Sequence, residues 1–486
     1  MDNRILSQNN TTRKDQNEAL TPLVDFDISL TVSCPLGSLD DMATCLRDAV
    51  MPAIAGRLAE FAEATDRRLK NAPEIKADGY RVKESNVPRT YTTAVGEVSF
   101  TRTYFKDPSG HYVYLLDKIL GIDPRERVSK GVSAAAINNA ISTSYQKAID
   151  QLGVNMSRQT LHNRISSLGE LVVDVPKTKT PVKEIHIFAD EDHVGVKTAG
   201  GKKNVMVPLI AITEGIDGSN PKRHKVKNPL YIAGYRQSPS AIYNQAYATA
   251  DRMFDLDNTE RIYVHGDGGS WIKAYREVFP DAVFVMDEFH ITSRFKELSS
   301  FFSKEDLAML MKFIRENNRR AFYEKMTEAI KKEKPAKKAA KLREQLQYFV
   351  INWDAIVRRK TLDVCGSCTE PMISHVFAER ISRTPCCWSE AGLEKMAMLR
   401  AFKANGGVVE RNDINVSADK KAVQKGLKKR KEEGYDKYVK YAQESAEELE
   451  KRFRETFHNG LADYVIDVSG GVQQFIKRIS SQELGS

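Results

Sequence analysis

The stretch "YVHGDGGSWIKAYREVFPDAVFVMDEFHITSRF", residues 263–295, contains two apolar runs that each stop at an aspartate. The first run stops at Asp267 and the second, "AVFVM", stops at Asp287. Their β-branched and aromatic residues predict two buried strands, and "WIKAYREVF" (271–279) between them predicts a helix. This alternation is typical of an α/β sheet.

Three more runs upstream have the same character. We expect strands at "EIHIFAD" (184–190), "NVMVPLIAIT" (204–213) and "PLYIAGY" (229–235), followed by an amphipathic helix over 240–255. The order of these elements, three strands followed by helix, strand, helix and strand, predicts a sheet with mixed strand directions.

The segments outside the sheet have other periods. Residues 38–72 predict one or two helices, and "RTYTTAVGEVSFTRTYF" (89–105) predicts a β-hairpin that turns at Gly96. After the fifth strand, residues 296–360 are basic and predict helices without strands.

Bulk properties limit the class of protein. The chain has 486 residues, 41% of them hydrophobic, which predicts two or three domains. The sequence contains no apolar run of the roughly 18 residues that a membrane span needs, and its first residues lack the apolar centre of a secretory signal. Six unevenly spaced cysteines do not indicate a disulfide framework. We therefore expect a cytoplasmic, nucleoid-associated protein with no membrane partner.

The net charge of +9 is concentrated in lysine-rich runs at 331–343 and 419–433. Such runs favour a polyanion such as nucleic acid, although either could equally be a solvated helix face.

Residues 129–170 predict helices that break at Gly153, and Ser157 is a good N-cap for the last of them. A helix, a short turn and a second helix with polar residues at its start fit a helix-turn-helix, although such helix pairs are also common without a DNA-binding role. The candidate DNA-binding side chains are Arg158, Gln159, Thr160, His162, Asn163 and Arg164.

Two acids at the ends of neighbouring strands would repel each other unless a cation neutralised them. Asp190 and Asp267 are the candidates, with Asp192 as a possible alternative to Asp190. Functional groups gather where the strands of an open sheet separate, and carboxylate oxygens suit Mg²⁺ or Mn²⁺. Such ions assist in-line phosphoryl transfer.

A third carboxylate is needed to complete the site. Glu370, at the start of a helical stretch over 369–382, is the best candidate, and Glu379 and Glu390 compete with it. Asp287 and His290 form a D-x-x-H pair that could bind metal or could support the strand end.

The cysteines allow one further site. Cys365 and Cys368 form a C-x-x-C pair, followed by Cys386 and Cys387 with His375 between. Zinc is conceivable here, but we favour ordinary packing thiols.

The sequence resembles the ISLre-type bacterial insertion-sequence transposases, in the Mutator-like group of RNase H-fold DDE transposases. The resemblance covers about residues 85–400 and rests on five stretches: "RTYTTAVGEVSFTRTYFKD", "SRQTLHNRI", "ADEDHV", "GDGGSWIK...FPDAVFVMDEFHITSRF" and "TEPMISHVFAERISRTPCCWSEAGLEKMAMLR".

This resemblance implies an RNase H-like core interrupted by an all-α insertion, with Asp190, Asp267 and Glu370 as catalytic and metal-binding acids. It places Asp287 and His290 close to the active site. It implies a DNA transposase that uses two Mg²⁺ or Mn²⁺ ions to cleave element ends and join them to target DNA. The partners would be double-stranded DNA, as terminal inverted repeats and target, and a second copy of the chain in a homodimer or larger assembly.

We therefore expect seven regions in chain order. They are a helical region (1–80), a β-hairpin region (81–125), a helix-turn-helix (126–175), the first part of the RNase H-like core (176–295), a basic all-α insertion (296–365), the Glu-bearing part of the core (366–404) and a basic helical region (405–486). Two alternatives remain: a metal-dependent nuclease of the same fold that does not join strands, and a domesticated DNA-binding protein.

Overall fold

A computed structural model describes Phe26, Ile28 and residues 30–414, with gaps at 170, 172, 174–178, 199, 221–224 and 384–386. The predicted basic region 405–486 and the second lysine-rich run therefore lie mostly or wholly outside the described residues. The chain divides into two compact units. The first comprises residues up to 132 together with 154–156, and the second comprises 133–153 and 157–415.

The first unit packs one long helix on a small antiparallel sheet. Its elements are α1 (Leu39–Asn71), α2 (Pro73–Ala77), β1 (Arg81–Thr93), β2 (Gly96–Lys106), β3 (Tyr112–Val113) and α3 (Leu115–Ile119). The predicted hairpin is confirmed, and Gly96 makes its turn at a φ of 103°. Asp66 joins α1 to β2, because its buried carboxylate accepts hydrogen bonds from the backbone N–H of Thr103 (2.9 Å) and its hydroxyl (2.6 Å).

The second unit is built around a five-stranded sheet. Its helices before the sheet are α4 (Lys130–Ala140), α5 (Tyr145–Asp150) and α6 (Arg158–Ser167). The sheet strands are β4 (Glu184–Thr198), β5 (Gly201–Thr213), β8 (Leu230–Ala233), β9 (Arg261–Gly266) and β10 (Val283–Met286), with a separate pair formed by β6 (Ile216–Asp217) and β7 (Lys225–Val226). The remaining helices are α7 (Pro239–Met253), α8 (Glu288–Leu298), α9 (Lys304–Arg315), α10 (Arg319–Lys332), α11 (Ala336–Ile351), α12 (Trp353–Thr361), α13 (Thr369–Met372), α14 (Glu379–Ile381) and α15 (Glu390–Ala404).

The strand order across this sheet is β10-β9-β4-β5-β8. Strand β5 is antiparallel to both of its neighbours, β4 and β8, whereas β9 runs parallel to β4 and β10 parallel to β9. The predicted α/β class, the five strands and the mixed directions are therefore confirmed, and the insertion is helical from α8 to α12.

The two faces of the sheet are covered differently. Ile185, Ile187 and Ala189 of β4 point into an apolar core together with α7 and the insertion helices. Because side chains alternate along a strand, His186, Phe188 and Asp190 point to the opposite face. The helical segments that begin at α13 and α15 pack against β4.

Three local structures differ from the sequence-based expectation. Strand β4 does not stop at Asp190, because its antiparallel pairing with β5 continues to Thr198 opposite Gly201. The segment 271–279 forms a short 3₁₀ helix (Ile272–Glu277) instead of an α-helix. The predicted helix over 369–382 is interrupted by a π-helical turn at Ile373–Ala378, a type of distortion that is frequent at functional sites.

Among the described residues, no helix is both long and apolar enough to cross a membrane.

Candidate functional site

Three aspartates lie at the same level of three adjacent parallel strands, one within β4 and the other two directly after β9 and β10. Phe188 of β4 pairs with His265 of β9, and His265 pairs with Val285 of β10. Asp190, Asp267 and Asp287 each come two residues after one member of this row. Neighbouring strands lie about 4.8 Å apart and alternation has a period of two, so this register directs all three side chains toward one edge and one face of the sheet.

Asp190 lies where β9 leaves its partner. The parallel pairing between β4 and β9 ends at Phe188, while β4 continues beside β5. Burial raises the pKa of Asp190, a hydrogen bond from the Glu191 backbone N–H (2.9 Å) opposes this, and the negative charges of Glu191, Asp267 and Asp287 add to it, so that the pKa lies at about 7. The neighbouring acids are therefore close enough to disfavour the ionised form of this carboxyl.

Asp267 occupies a turn made by glycines. Its carboxylate accepts a hydrogen bond from the backbone N–H of Gly269 at 2.7 Å. Gly268 has a φ of 87°, and a Cβ added there would lie 2.7 Å from Oδ1 of Asn352. Gly266 is equally confined, because an added Cβ would lie 2.8 Å from Cδ1 of Ile272. Only glycine permits the close packing that leaves Asp267 half-buried at the strand end.

Asp287 is buried, and both of its carboxylate oxygens accept hydrogen bonds from the protein. It caps α8 by accepting from the Phe289 backbone N–H (3.0 Å), and its other oxygen accepts from the hydroxyls of Ser367 and of Thr369 (2.8 Å for Thr369). The side chain is 1% exposed. In this geometry Asp287 fastens the segment 367–369, which leads directly into Glu370, to the end of β10.

Glu370 follows Thr369 in the first turn of α13 and is exposed. Its two competitors are engaged elsewhere: Glu379 lies 3.5 Å from Arg400, and Glu390 accepts a hydrogen bond from Tyr235 at 3.2 Å. Among the described residues, Glu370 has no such partner. Of Glu370, Glu379 and Glu390, Glu370 is thus the one with a free carboxylate. Its backbone is held beside Asp287, because the preceding residue, Thr369, is hydrogen-bonded to that aspartate.

Trp271 is a group at this edge whose role the sequence did not indicate. Glu191 points to the opposite face from Asp190, and its carboxylate accepts a hydrogen bond from the indole Nε1 of Trp271 at 2.7 Å. Burial raises the pKa of Glu191, as does the charge of Asp267, while the charge of His290 acts to lower it. His290 therefore lies close to Glu191, and its buried Nε2 has no hydrogen-bond partner among the described residues. The quoted stretch "GDGGSW" includes Trp271, but nothing in the sequence indicated that its indole N–H would donate to Glu191.

The donor set fits a hard divalent cation. It consists of carboxylates, and Asp192, on the same face as Asp190, has a buried Oδ2 without a hydrogen-bond partner among the described residues. An acid held at a raised pKa by burial and by neighbouring negative charges is the environment that a cation would relieve. Asp190, Asp267 and Glu370 would hold the ion, with Asp192 as an additional oxygen donor. Among the described residues these acids do not form a group of three ligand atoms within 4.8 Å of one another, so their side chains would have to move together around it.

The candidate DNA-reading residues lie on α6. Ser157 caps this helix by accepting from the Thr160 backbone N–H (3.1 Å), while Leu161 and Ile165 are buried. The side chains of the predicted set are exposed or half-buried: Arg158, Gln159, Thr160, His162, Asn163 and Arg164. Helices α5 and α6 form a helix pair joined by residues 151–157, and the helix-turn-helix assignment remains a prediction.

The cysteines do not assemble as the C-x-x-C pattern suggested. Cys368 is buried, Cys387 is exposed, and Cys386 lies outside the described residues. Burial raises the pKa of the Cys368 thiol to about 12, as expected for a packing thiol. Cys365 instead lies beside two histidines of the sheet.

Together the fold and the site define an α/β protein in which acidic side chains gather at the ends of parallel strands in a mixed sheet. A family model described as an uncharacterised protein family, UPF0236, matches residues 38–417. The chain belongs to this family.

Relatives occur in two bacteria. A UPF0236 protein of Caldanaerobacter subterraneus subsp. tengcongensis is 33% identical over 369 residues, covering 72% of this chain and 78% of the relative, and its name joins eleven gene designations. A second UPF0236 protein of the same strain is 32% identical over 369 residues, with the same coverage. A Streptococcus gallolyticus protein, described as a UPF0236 protein in the vanSb 3′ region, is 23% identical over 365 residues, covering 72% of this chain and 79% of the relative.

Proposed function

We propose that this protein is a DNA transposase that cleaves phosphodiester bonds at the ends of a mobile element and joins the freed 3′-hydroxyls to target DNA. The observation that carries the proposal is the row of Asp190, Asp267 and Asp287 at one level of three adjacent strands, together with the hydrogen bond that holds the Glu370 segment beside it. Such a carboxylate site suits metal-assisted phosphoryl transfer.

The sheet topology supports an RNase H-like core. In chain order the five strands lie as 3-2-1-4-5, with the first three antiparallel and the last two parallel to the first. The proposed acids then occupy the first strand, the end of the fourth strand and a helix packed on the sheet, and an all-α insertion separates the fifth strand from that helix.

The relatives give independent support. One relative's name joins eleven gene designations in a single strain, and others from that strain join four and two. Several genes for one protein in one genome are what an element that multiplies by transposition leaves behind.

In this proposal Asp190, Asp267 and Glu370 would hold two Mg²⁺ or Mn²⁺ ions. When bound, such ions would favour deprotonation of the attacking water or 3′-hydroxyl and stabilise the leaving oxygen. Asp287 would position Glu370 through Thr369. The hydrogen bond from Trp271 would hold the Glu191 carboxylate on the sheet face opposite Asp190, so that the charge of Glu191 would not repel the phosphate of the bound DNA.

The surface carries charge suited to DNA. Two groups of lysines are exposed. One group lies where β4 and β5 extend beyond the other strands, and consists of Lys197, Lys202 and Lys203. The other lies along α10, α11 and the turn between them, and consists of Lys331, Lys334, Lys337 and Lys338. Such side chains would contact phosphates without reading sequence, and α6 would read the terminal repeats. Joining two DNA ends in one reaction would require a dimer or larger assembly.

A strand-transfer assay tests the proposal. The substrate is a pre-cleaved duplex taken from the inverted repeats that flank the gene, with a supercoiled plasmid as target and Mg²⁺ or Mn²⁺ present. We expect joined product from the wild type and from Asp281→Asn, a matched change of an exposed acid in the same region, and at least about a 100-fold loss in Asp267→Asn. Cleavage without joining would identify a nuclease, and DNA binding without either reaction would identify a domesticated DNA-binding protein.

A further inference from the structure

A second cluster of potential ligands lies on the same sheet face as Asp190 but contains no carboxylate. His186 of β4, His265 of β9 and Cys365 of the α12–α13 connector each place one ligand atom within 4.8 Å of the other two. Nδ1 of His186 and Nε2 of His265 are 3.0 Å apart. Two imidazole nitrogens and one sulfur are soft to borderline donors, unlike the oxygens of the strand-end row.

We propose that His186, His265 and Cys365 bind a Zn²⁺ ion that fastens the connector before α13 to the central sheet. Two nitrogens around a tetrahedral Zn²⁺, with bonds of about 2.0–2.1 Å, are roughly 3.3 Å apart, so the histidine pair needs to move by only a few tenths of an ångström. Three protein ligands leave a fourth position for water.

The surroundings suit a buried cation. His186 is 3% and His265 1% exposed, and their rings stack at 5.3 Å between centroids, next to Phe188 and Tyr263. Burial lowers the pKa of His186 to about 4, so its ring is neutral and one ring nitrogen, set by the tautomer, has a free lone pair for the ion.

Charged groups of both signs lie near the cluster. A carboxylate oxygen of Glu184 lies 3.9 Å from Nε2 of His186. The positive charge of Arg359 acts on both histidines and on Cys365, but its guanidinium is paired with Glu288 at 3.1 Å and donates to the Cys365 carbonyl at 2.7 Å. Burial raises the pKa of the Cys365 thiol to about 11, so metal binding would release its proton.

The position of the cluster gives the ion a structural role. Cys365 precedes Ser367 and Thr369, the two residues whose hydroxyls bind Asp287. An ion at Cys365 would anchor the connector to β4 and β9, and Asp287 would anchor it to β10. The Zn²⁺ site holds whether or not the carboxylates act on DNA.

Metal analysis of the full-length protein tests the proposal directly. The protein is stripped with a chelator and titrated with Zn²⁺ against a chromophoric competitor, and Co²⁺ is used as a spectroscopic probe. We expect one tightly bound Zn²⁺ per chain that excess Mg²⁺ does not displace, and a thiolate-to-Co²⁺ charge-transfer band. Outer-shell changes alone cost about 10–100-fold in metal affinity, so loss of the direct ligand in Cys365→Ser should cost more and remove the band.

Two controls separate this site from other groups. Cys387→Ser changes an exposed thiol, and Asp267→Asn changes the carboxylate row; both should retain the ion and the band. Absence of tight Zn²⁺ from the wild type would overturn the proposal and leave His186 and His265 as a hydrogen-bonded pair. A charge-transfer band that survives in Cys365→Ser would also overturn it. If Cys365→Ser fails to fold, the wild-type stoichiometry and spectrum still decide.

Discussion

The hydroxyl of Thr369 donates a 2.8 Å hydrogen bond to the carboxylate of Asp287, across 82 residues of sequence. Both side chains are buried, at 0% and 1% exposure. This bond joins the end of β10 to the residue before Glu370. After the five helices from α8 to α12, the chain therefore returns to the edge of the sheet that it left at the end of β10.

Replacement of Thr369 by valine should therefore destabilise the protein. The change keeps the shape of the side chain but removes one donor from a buried carboxylate, and such losses cost about 1–3 kcal/mol. Urea unfolding followed by circular dichroism should show the lower free energy of unfolding, whereas Thr369→Ser, which keeps the hydroxyl, should lie near the wild type. Equal stability of the valine variant and the wild type would mean that the bond is not formed in solution.

Stability should depend on pH through Asp190. Burial and neighbouring acids raise its folded-state pKa to about 7 from an ordinary value of 3.8. Between these two values the folded protein keeps a proton that the unfolded chain has lost, so the free energy of unfolding falls as pH rises through this window. In chelator, Asp190→Asn should melt higher than the wild type at pH 8 but not at pH 4, by roughly 2–4 °C per kcal/mol gained.

The same experiment has a metal arm. Adding Mg²⁺ at pH 8 should raise the melting temperature of the wild type, because an ion that binds only the folded state stabilises it. It should have less effect on Asp190→Asn, and Asp281→Asn, an exposed acid, should behave as the wild type. A wild type that melts independently of pH from 4 to 8 would contradict the buried environment of Asp190.

Gly266→Ala should be poorly tolerated. The new Cβ would lie 2.8 Å from Cδ1 of Ile272 and 3.1 Å from the Ala189 carbonyl oxygen, which is backbone and cannot turn away. Overpacking of this kind costs about 1–3 kcal/mol. Gly56→Ala is the contrasting change: Gly56 lies in α1 with nothing within 4 Å of an added Cβ, so alanine should stabilise by about 0.5–1 kcal/mol. Thermal melts of the two variants should move in opposite directions.

The proposed role of α6 predicts two kinds of loss in DNA binding. Arg158→Ala should weaken binding to all duplexes, as expected for the loss of a phosphate contact. The slope of the logarithm of the binding constant against the logarithm of the salt concentration should fall in magnitude by about 1. Asn163→Ala should weaken binding to the terminal repeat by about 1–3 kcal/mol while leaving random duplex unaffected. Fluorescence anisotropy at several salt concentrations measures both, with Arg47→Ala, an exposed arginine paired with Asp48 at 2.8 Å, as the control. Unchanged binding in both α6 variants would remove the helix from the interface.

The sequence was sufficient for features that depend on local period and composition. Alternation and β-branched residues located the hairpin of the first unit and all five strands of the sheet, because burial of one or both faces imposes these patterns on each strand separately. The local pattern of apolar and polar residues could not show where β4 ends. The residues after Asp190 continue to pair with β5 in the same way as those before it. It also could not show that 271–279 forms a 3₁₀ helix, since apolar spacing is similar in the two helix types.

By itself, the sequence determined that Asp267 and Asp287 follow buried strands and that the insertion is helical and basic. Only the tertiary structure decided that Asp190, Asp267 and Asp287 share one level of the sheet, because the register between strands is set by pairing across distant segments. Only the tertiary structure brought Cys365 to His186 and His265, and Thr369 to Asp287. Those contacts join residues about 80 or more positions apart, and no local period records which distant side chain fills a given position on the sheet.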